Sequence, residues 1–246
     1  MIQRSRGIVL IMGAFLLILA TLGTRPSNNI APKVAQVRGA VVHIQKVGAW
    51  QGSGFVVAPD GLIVTAKHVV EGGGTFEVTF DDGRKVRTTQ AIQDDLHDVG
   101  FLRVEGKNLQ VAPMARTDLR PGEPVFVMGS PLGIEQFNSV TLGIVSAAQR
   151  DWSEDDNGLG WKVLIQSDAP GVYPGNSGGP VFNLRGEVIA VLVAGAGPGL
   201  HCSVPVRVFA DKLAEIRLAF EMQRFEPPRP APVPPADDEP FNKTGL

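Results

Sequence analysis

Cysteine is almost missing from this chain: Cys202 is the single one in 246 residues. One thiol excludes an intrachain disulfide, so the core alone must hold the fold. No papain-like histidine pattern surrounds Cys202, which reads as a small buried hydrophobe rather than a nucleophile. Charge of either sign is not in excess either. The formal net charge is −2, which leaves no electrostatic footprint for nucleic acid. A long apolar run is also lacking. The stretch from Gly7 to Gly23 carries no charge but spans only 17 residues. At helical rise that is roughly 25 Å, slightly short of a bilayer core. Arg4 and Arg6 precede it, yet Arg25, Lys33 and Arg38 follow, so the orienting charge is weak. Thr21 and Gly23 make a poor cleavage site. Residues 1–24 therefore read as a signal anchor or signal peptide, the uncleaved anchor being preferred. The remainder is expected outside the cytoplasm, held at the membrane, or secreted if the leader is cut.

Glycine and proline, by contrast, are plentiful: 29 and 19. With many short Val, Ile and Thr runs they indicate an all-β fold with frequent turns. Residues 25–32 form a polar tether. A folded domain is expected over 33–224, its first barrel at about 33–107 and its second at about 122–205. A helix follows at about 207–224, where Phe209, Leu213, Ile216 and Phe220 make one apolar stripe. Strands are expected at 41–44, 54–57, 62–65, 76–80 and 100–104, then at 124–128, 141–148, 161–167, 180–182, 188–194 and 201–204. Asp60-Gly61 and Asp81-Asp82-Gly83 are turn signals. From residue 225 the chain is Pro-rich, an extended and unpacked tail.

The most informative segment is Ser167-Asp168-Ala169-Pro170-Gly171-Val172-Tyr173-Pro174-Gly175-Asn176-Ser177-Gly178-Gly179-Pro180. Serine is a poor nucleophile unless a base takes its proton and backbone N–H groups await the oxyanion. Taken alone, the segment is equally well a tight loop between strands. Its partners decide. His68 follows the run Leu62–Thr65, and Asp98 opens the apolar run Val99–Val104. The chain order is His68, Asp98, Ser177. Gly175-x-Ser177-x-Gly179 also fits the nucleophile elbow of α/β-hydrolases. That fold needs acid and then histidine after the serine. Here the histidine His201 comes first and Asp211 and Glu215 later, so the elbow is rejected. Among rivals, Asp94 and Asp95 lie near Asp98 but do not open the strand. His97 with its carboxylate neighbours offers a weak cation site, an exposed turn being preferred. His43 reads as structural.

Six blocks, in this order, resemble the HtrA/Deg type of trypsin-like serine protease. They are Gly52-Ser53-Gly54-Phe55, Thr65-Ala66-Lys67-His68-Val69-Val70, Asp98-Val99-Gly100-Phe101-Leu102, Val127-Met128-Gly129-Ser130-Pro131-Leu132-Gly133, Thr141-Leu142-Gly143-Ile144-Val145-Ser146 and Gly175-Asn176-Ser177-Gly178-Gly179-Pro180. The resemblance covers roughly residues 33–215. It implies two six-stranded antiparallel chymotrypsin-like barrels and a His68, Asp98, Ser177 triad. It implies an oxyanion hole at Gly175, Asn176 and Ser177, and cleavage of exposed or misfolded polypeptide without a cofactor or metal. Lys67 departs from the residue usual before the histidine and is expected to face solvent. Asn176 stands where trypsin has an aspartate that pairs with a new N-terminus, so no proteolytic zymogen step is expected. The acidic segment Asp151–Gly160 occupies the place of a sensor loop. It lacks the spacing of a calcium loop.

The specificity pocket is expected from Gly171, Val172, Tyr173, Val193, Ala194 and Gly195. No acidic residue is among them, so a small or medium apolar residue is expected before the cut, not Lys or Arg. The family pattern usually continues into a PDZ domain, which is not expected to regulate this polypeptide. Trimers are implied by the resemblance alone. Two other readings remain at this stage: a membrane-tethered pseudoprotease that binds peptides without turnover, and partner recruitment by the Pro-rich tail.

Overall fold

The computed structural model describes residues 29–117, 120–153, 160–170, 173–195, 197 and 199–225. The leader and the Pro-rich tail lie outside the described residues. Among those described, no helix is long and apolar enough to cross a membrane.

The chain enters through helix α1 (Ala31–Val37), whose proline sits in the first turn, where no N–H is needed. This helix occupies the start of the stretch expected to begin the first barrel. Seven strands then build one antiparallel sheet: β1 (Val41–Lys46), β2 (Gln51–Ala58), β3 (Leu62–Thr65), β4 (Phe76–Thr79), β5 (Lys85–Thr88), β6 (Ala91–Gln93) and β7 (Gly100–Arg103). Their order is β5-β4-β1-β2-β3-β7-β6. The expected closed six-stranded barrel is thus a seven-stranded sheet without closure. The two unforeseen strands, β5 and β6, are exposed or half-buried and carry no apolar run. Asp60-Gly61 makes the expected tight turn, with Gly61 at φ +109°.

The second half is a closed six-stranded barrel. Its strands are β8 (Pro124–Gly129), β9 (Ser139–Ser153), β10 (Gly160–Ser167), β11 (Pro180–Asn183), β12 (Val188–Gly195) and β13 (His201–Pro205). Strand alternation sends residues to two cores. On β8, Val125 and Val127 enter the barrel's own core with Val145, Ile165 and Ile189. Phe126 and Met128 join a larger core shared with the first sheet. There Phe126 stacks on Phe182 with centroids 4.9 Å apart. Helix α3 (Val206–Phe225) closes the domain. Phe209, Leu213 and Ile216 of its predicted stripe are buried in the shared core. Its Arg217 guanidinium donates to the Val57 carbonyl of β2, tying the helix back to the first sheet.

Candidate active site

The shared core presses the strand ends of the two halves together, and the site forms at that seam. β3 ends at Thr65, and His68 sits in the single helical turn α2 (Lys67–Val70) rather than at the strand's end. Asp98 lies just before β7, which pairs with β3 through Thr65 and Gly100. That pairing holds both side chains in one place. The His68 Nδ1 is 2.7 Å from Asp98 Oδ2. The other carboxylate oxygen accepts the His68 backbone N–H at 3.0 Å. Asp98 is buried, whereas the imidazole is partly open. Bound twice, the carboxylate fixes both the ring's orientation and its tautomer, with the proton on Nδ1. His68 Nε2 has no partner among the described residues.

The rival carboxylates have other tasks. Asp94 turns its Oδ1 onto the N–H groups of Leu96 and His97, at 2.7 and 3.1 Å. It shapes the turn that delivers Asp98. Asp95 is exposed. Among the described residues no group of three or more His, Cys, Asp or Glu side chains is placed to hold a metal ion.

Ser177 comes from the loop between β10 and β11. Two contacts latch that loop to the first sheet. The Ser177 carbonyl accepts the Ser53 N–H of β2 at 2.8 Å. Gly178, at φ +84°, lies so close to β2 and β3 that a Cβ on it would stand 2.1 Å from Thr65 Oγ1 and 2.2 Å from the Ser53 carbonyl. Only glycine suits that backbone and that gap. The close approach sets the serine loop against Thr65 and Ala66, just before His68 in the chain.

The residues before Ser177 form a type II turn. Tyr173 carbonyl accepts the Asn176 N–H at 3.0 Å, Pro174 takes the second position, and Gly175 has φ +99°. This corrects one expectation: the Asn176 N–H closes the turn and is not free for an oxyanion. The N–H groups of Gly175 and Ser177 have no acceptor among the described residues. Two anchors aim the Gly175 N–H. Its peptide partner, the Pro174 carbonyl, accepts the Leu132 N–H at 2.8 Å. In a planar trans peptide the N–H then points the opposite way. Leu132 itself stands at φ +63°, a costly conformation for leucine. The second anchor is Ser53, fully buried. Its hydroxyl donates to the Gly175 carbonyl at 2.7 Å and accepts the Ser130 N–H at 2.9 Å. Neither Ser53 nor Leu132 was singled out for a role in the sequence. A serine between Gly52 and Gly54, where the strand needs no turn, was the available signal.

A cavity of about 220 Å3 opens beside Ser177. Tyr173, Pro174, Ser177, Leu192, Val193, Ala194 and Gly195 line it. Gly171 and Val172 lie outside the described residues. No ionisable side chain except the Tyr173 phenol is among the lining residues. A larger cavity, about 910 Å3, lies over the first sheet and is bordered by Arg84, Arg87 and Arg103, away from all three triad candidates. The remaining suspects are structural. Burial lowers the pKa of His43, and burial raises the Cys202 thiol to about 11. A thiol that holds its proton so firmly is a poor nucleophile.

Comparison with known proteins shows the family. Residues 52–191 match the family model of the trypsin-like peptidase domain. A putative serine protease HhoB of Synechocystis is 41% identical over 167 residues, covering 67% of this chain and 39% of that protein. A probable periplasmic serine endoprotease DegP-like of Pseudomonas savastanoi is 35% identical, covering 70% of this chain and 36% of its own length. The chain thus spans about two fifths or less of these relatives. Among solved structures, the HtrA-type protease AlgW with tripeptide superposes with a TM-score of 0.67 at 27% identity, covering 76% of this chain and 63% of that one.

Proposed function

This chain belongs to the trypsin-like peptidase family and is of HtrA type, and on that premise we propose that it is a serine endopeptidase working through His68, Asp98 and Ser177. Ser177 Oγ attacks the scissile carbonyl. His68 Nε2 takes the proton and returns it to the leaving amine. Asp98 holds the imidazole and stabilises its cation. The N–H groups of Gly175 and Ser177 receive the oxyanion. The observation that carries this reading is the 2.7 Å His68–Asp98 contact beside a serine loop latched at Gly178. The two unclaimed N–H groups favour turnover over peptide binding alone, since a binding module has no need of a prepared anion site.

The substrates are exposed or unfolded polypeptides, cut after a small or medium uncharged residue. Support comes from the lining, which among the described residues has no carboxylate to receive Lys or Arg. A cleavage profile dominated by Arg would overturn this part. The enzyme acts outside the cytoplasm in protein quality control, held by its leader and assembled as a homo-oligomer. The DegP-like relatives named as periplasmic support the compartment. The anchor and the assembly rest on the sequence reading.

The test compares the full chain with Ser177→Ala on unfolded casein. The native chain should release fragments, and the variant should lose a factor on the order of 10⁶ in kcat. A fluorophosphonate should label Ser177 in the native chain only. Fragment release that survives in Ser177→Ala would overturn the assignment.

A further inference from the structure

Trp50 is half exposed in the turn between β1 and β2, with Val47 open beside it. A single apolar side chain on a surface is ordinary. This one is held in place. Its indole N–H donates to the Val69 carbonyl at 3.2 Å, on the residue after His68. The Lys46 ammonium stands 4.5 Å from the ring centroid and donates to the Glu71 carbonyl at 2.6 Å. The Gln45 carboxamide caps the turn, donating to the carbonyls of Lys46, Ala49 and Trp50 at 2.9, 3.1 and 3.2 Å. The aromatic face is thus fixed, and it is tied to the α2 turn that carries the base.

The strand register shows which way it faces. Gln45 pairs with Gln51, and the Lys46 N–H donates to the Trp50 carbonyl at 3.0 Å, which carries the ladder one residue further. Trp50 and Gly52 therefore lie on the same face of the chain. A Cβ on Gly52 would stand 2.6 Å from the Val69 side chain and 3.0 Å from the Ser177 carbonyl. One two-residue step, about 7 Å, separates that point from Trp50. Among the described residues, none that lines the cavity beside Ser177 comes from this hairpin or from α2. The indole and the cavity belong to different walls of the cleft.

We propose that Trp50 is the wall of the subsite for the leaving side of the substrate, and that it selects a large apolar or aromatic side chain on one of the two residues after the scissile bond. This rests on the peptidase reading and deepens it. The proton transfer assigns the side. His68 Nε2 returns its proton to the leaving nitrogen, so that nitrogen lies against the α2 turn. The residue before the cut fills the cavity beside Ser177, and the chain that leaves runs past His68 to the indole. Successive side chains of an extended peptide point opposite ways, so one of the first two meets the ring. An indole already immobilised loses little further side-chain freedom when a substrate packs on it. Lys46 over the ring disfavours a substrate Lys or Arg at that position, like charges being costly side by side.

The experiment uses the full chain and internally quenched peptides, identical up to the cut, that carry Leu, Phe or Ala at the first or the second position after it. Native protein should favour Leu and Phe over Ala by roughly tenfold in kcat/KM at one of the two positions. Trp50→Ala should bring that ratio to about one, while the preference for the residue before the cut stays where it was. Trp50→Gln keeps a donor for the Val69 carbonyl without the ring; it should lose the ratio too, and it serves if the Ala variant fails to fold. Trp50→Phe keeps an aromatic face and should retain part of the ratio. A native protein indifferent at both positions, or a ratio that survives in Trp50→Ala or Trp50→Gln, would overturn the proposal while leaving the peptidase intact. Failure of the peptidase reading looks different: no peptide is cut, and Ser177 takes no fluorophosphonate.

Discussion

In the open half of the molecule the acid and the base stand on neighbouring strands. Thr65 at the end of β3 pairs with Gly100 at the start of β7, and His68 and Asp98 follow from that one ladder. In the closed half Ser177 lies ten residues beyond Ser167, the end of β10 (177 − 167). No strand carries it. Its place comes from contacts on three sides: the first sheet through the Ser53 N–H and hydroxyl and the Gly178 gap, the Leu132 turn through the Leu132 N–H, and β12, where the Leu192 carbonyl accepts the Gly178 N–H at 2.7 Å. Closure of a barrel thus does not make its functional group the better fixed. The open sheet prebuilds the acid–base pair within itself, while the closed barrel lends a nucleophile held partly by its own β12 and partly by its neighbour.

Three experiments press on that contrast. The largest effect should come from Asp98→Asn, which strikes the prebuilt pair. The amide favours the wrong imidazole tautomer, and kcat should fall by about 10⁴ with the fold retained. Measured turnover within tenfold of native would show that the ladder alone positions His68. Gly178→Ala strikes the latch instead. A methyl at φ +84°, 2.1 Å from Thr65 Oγ1, must push the serine loop off the sheet. Displacements of this kind cost about 10² in rate. The low-field NMR signal of the His68 Nδ1 proton should nevertheless persist, since the pair needs only the open half. Loss of both signal and activity would mean that the halves do not divide the work as described.

The smallest effect concerns stability. His43, buried on β1, has its pKa held below the ordinary 6.5, mainly by burial and then by Lys85. As pH falls through 6.5 the unfolded chain takes up this proton before the folded one does. Stability is then lost, down to the folded value, because the unfolded state binds more protons in that window. His43→Phe should blunt the loss seen by denaturant titration between neutral and mildly acidic pH. An identical pH dependence in native and variant would show that His43 carries none of it.

Much of this was legible in the sequence because it depends on local pattern. The run Leu62–Thr65, the Asp60-Gly61 turn and the stripe on α3 needed no tertiary information. The order His68, Asp98, Ser177 was equally plain. β5 and β6 were not, since Lys85–Thr88 and Ala91–Gln93 have no buried face and owe their strand form to pairing with β4 and β7. Closure was not legible either, because it depends on whether outer strands meet. The involvement of the Asn176 N–H was missed, although Pro174-Gly175 is the usual signature of a type II turn. Leu132 gave no signal, since leucine rarely adopts φ +63°. The position of His201 follows from the register of β13 against β12 and β10, which no single segment encodes.

Cys202 gains a use from its solitude. It is 1% exposed, sits next to His201 on β13, and holds its proton up to about pH 11. A thiol reagent meets nothing else in the chain that it can modify. Its uptake therefore times the breathing of one barrel wall, the very wall that backs the cleft. Run with and without a bound peptide, the same slow chemistry would tell how much a substrate quiets the strands behind it.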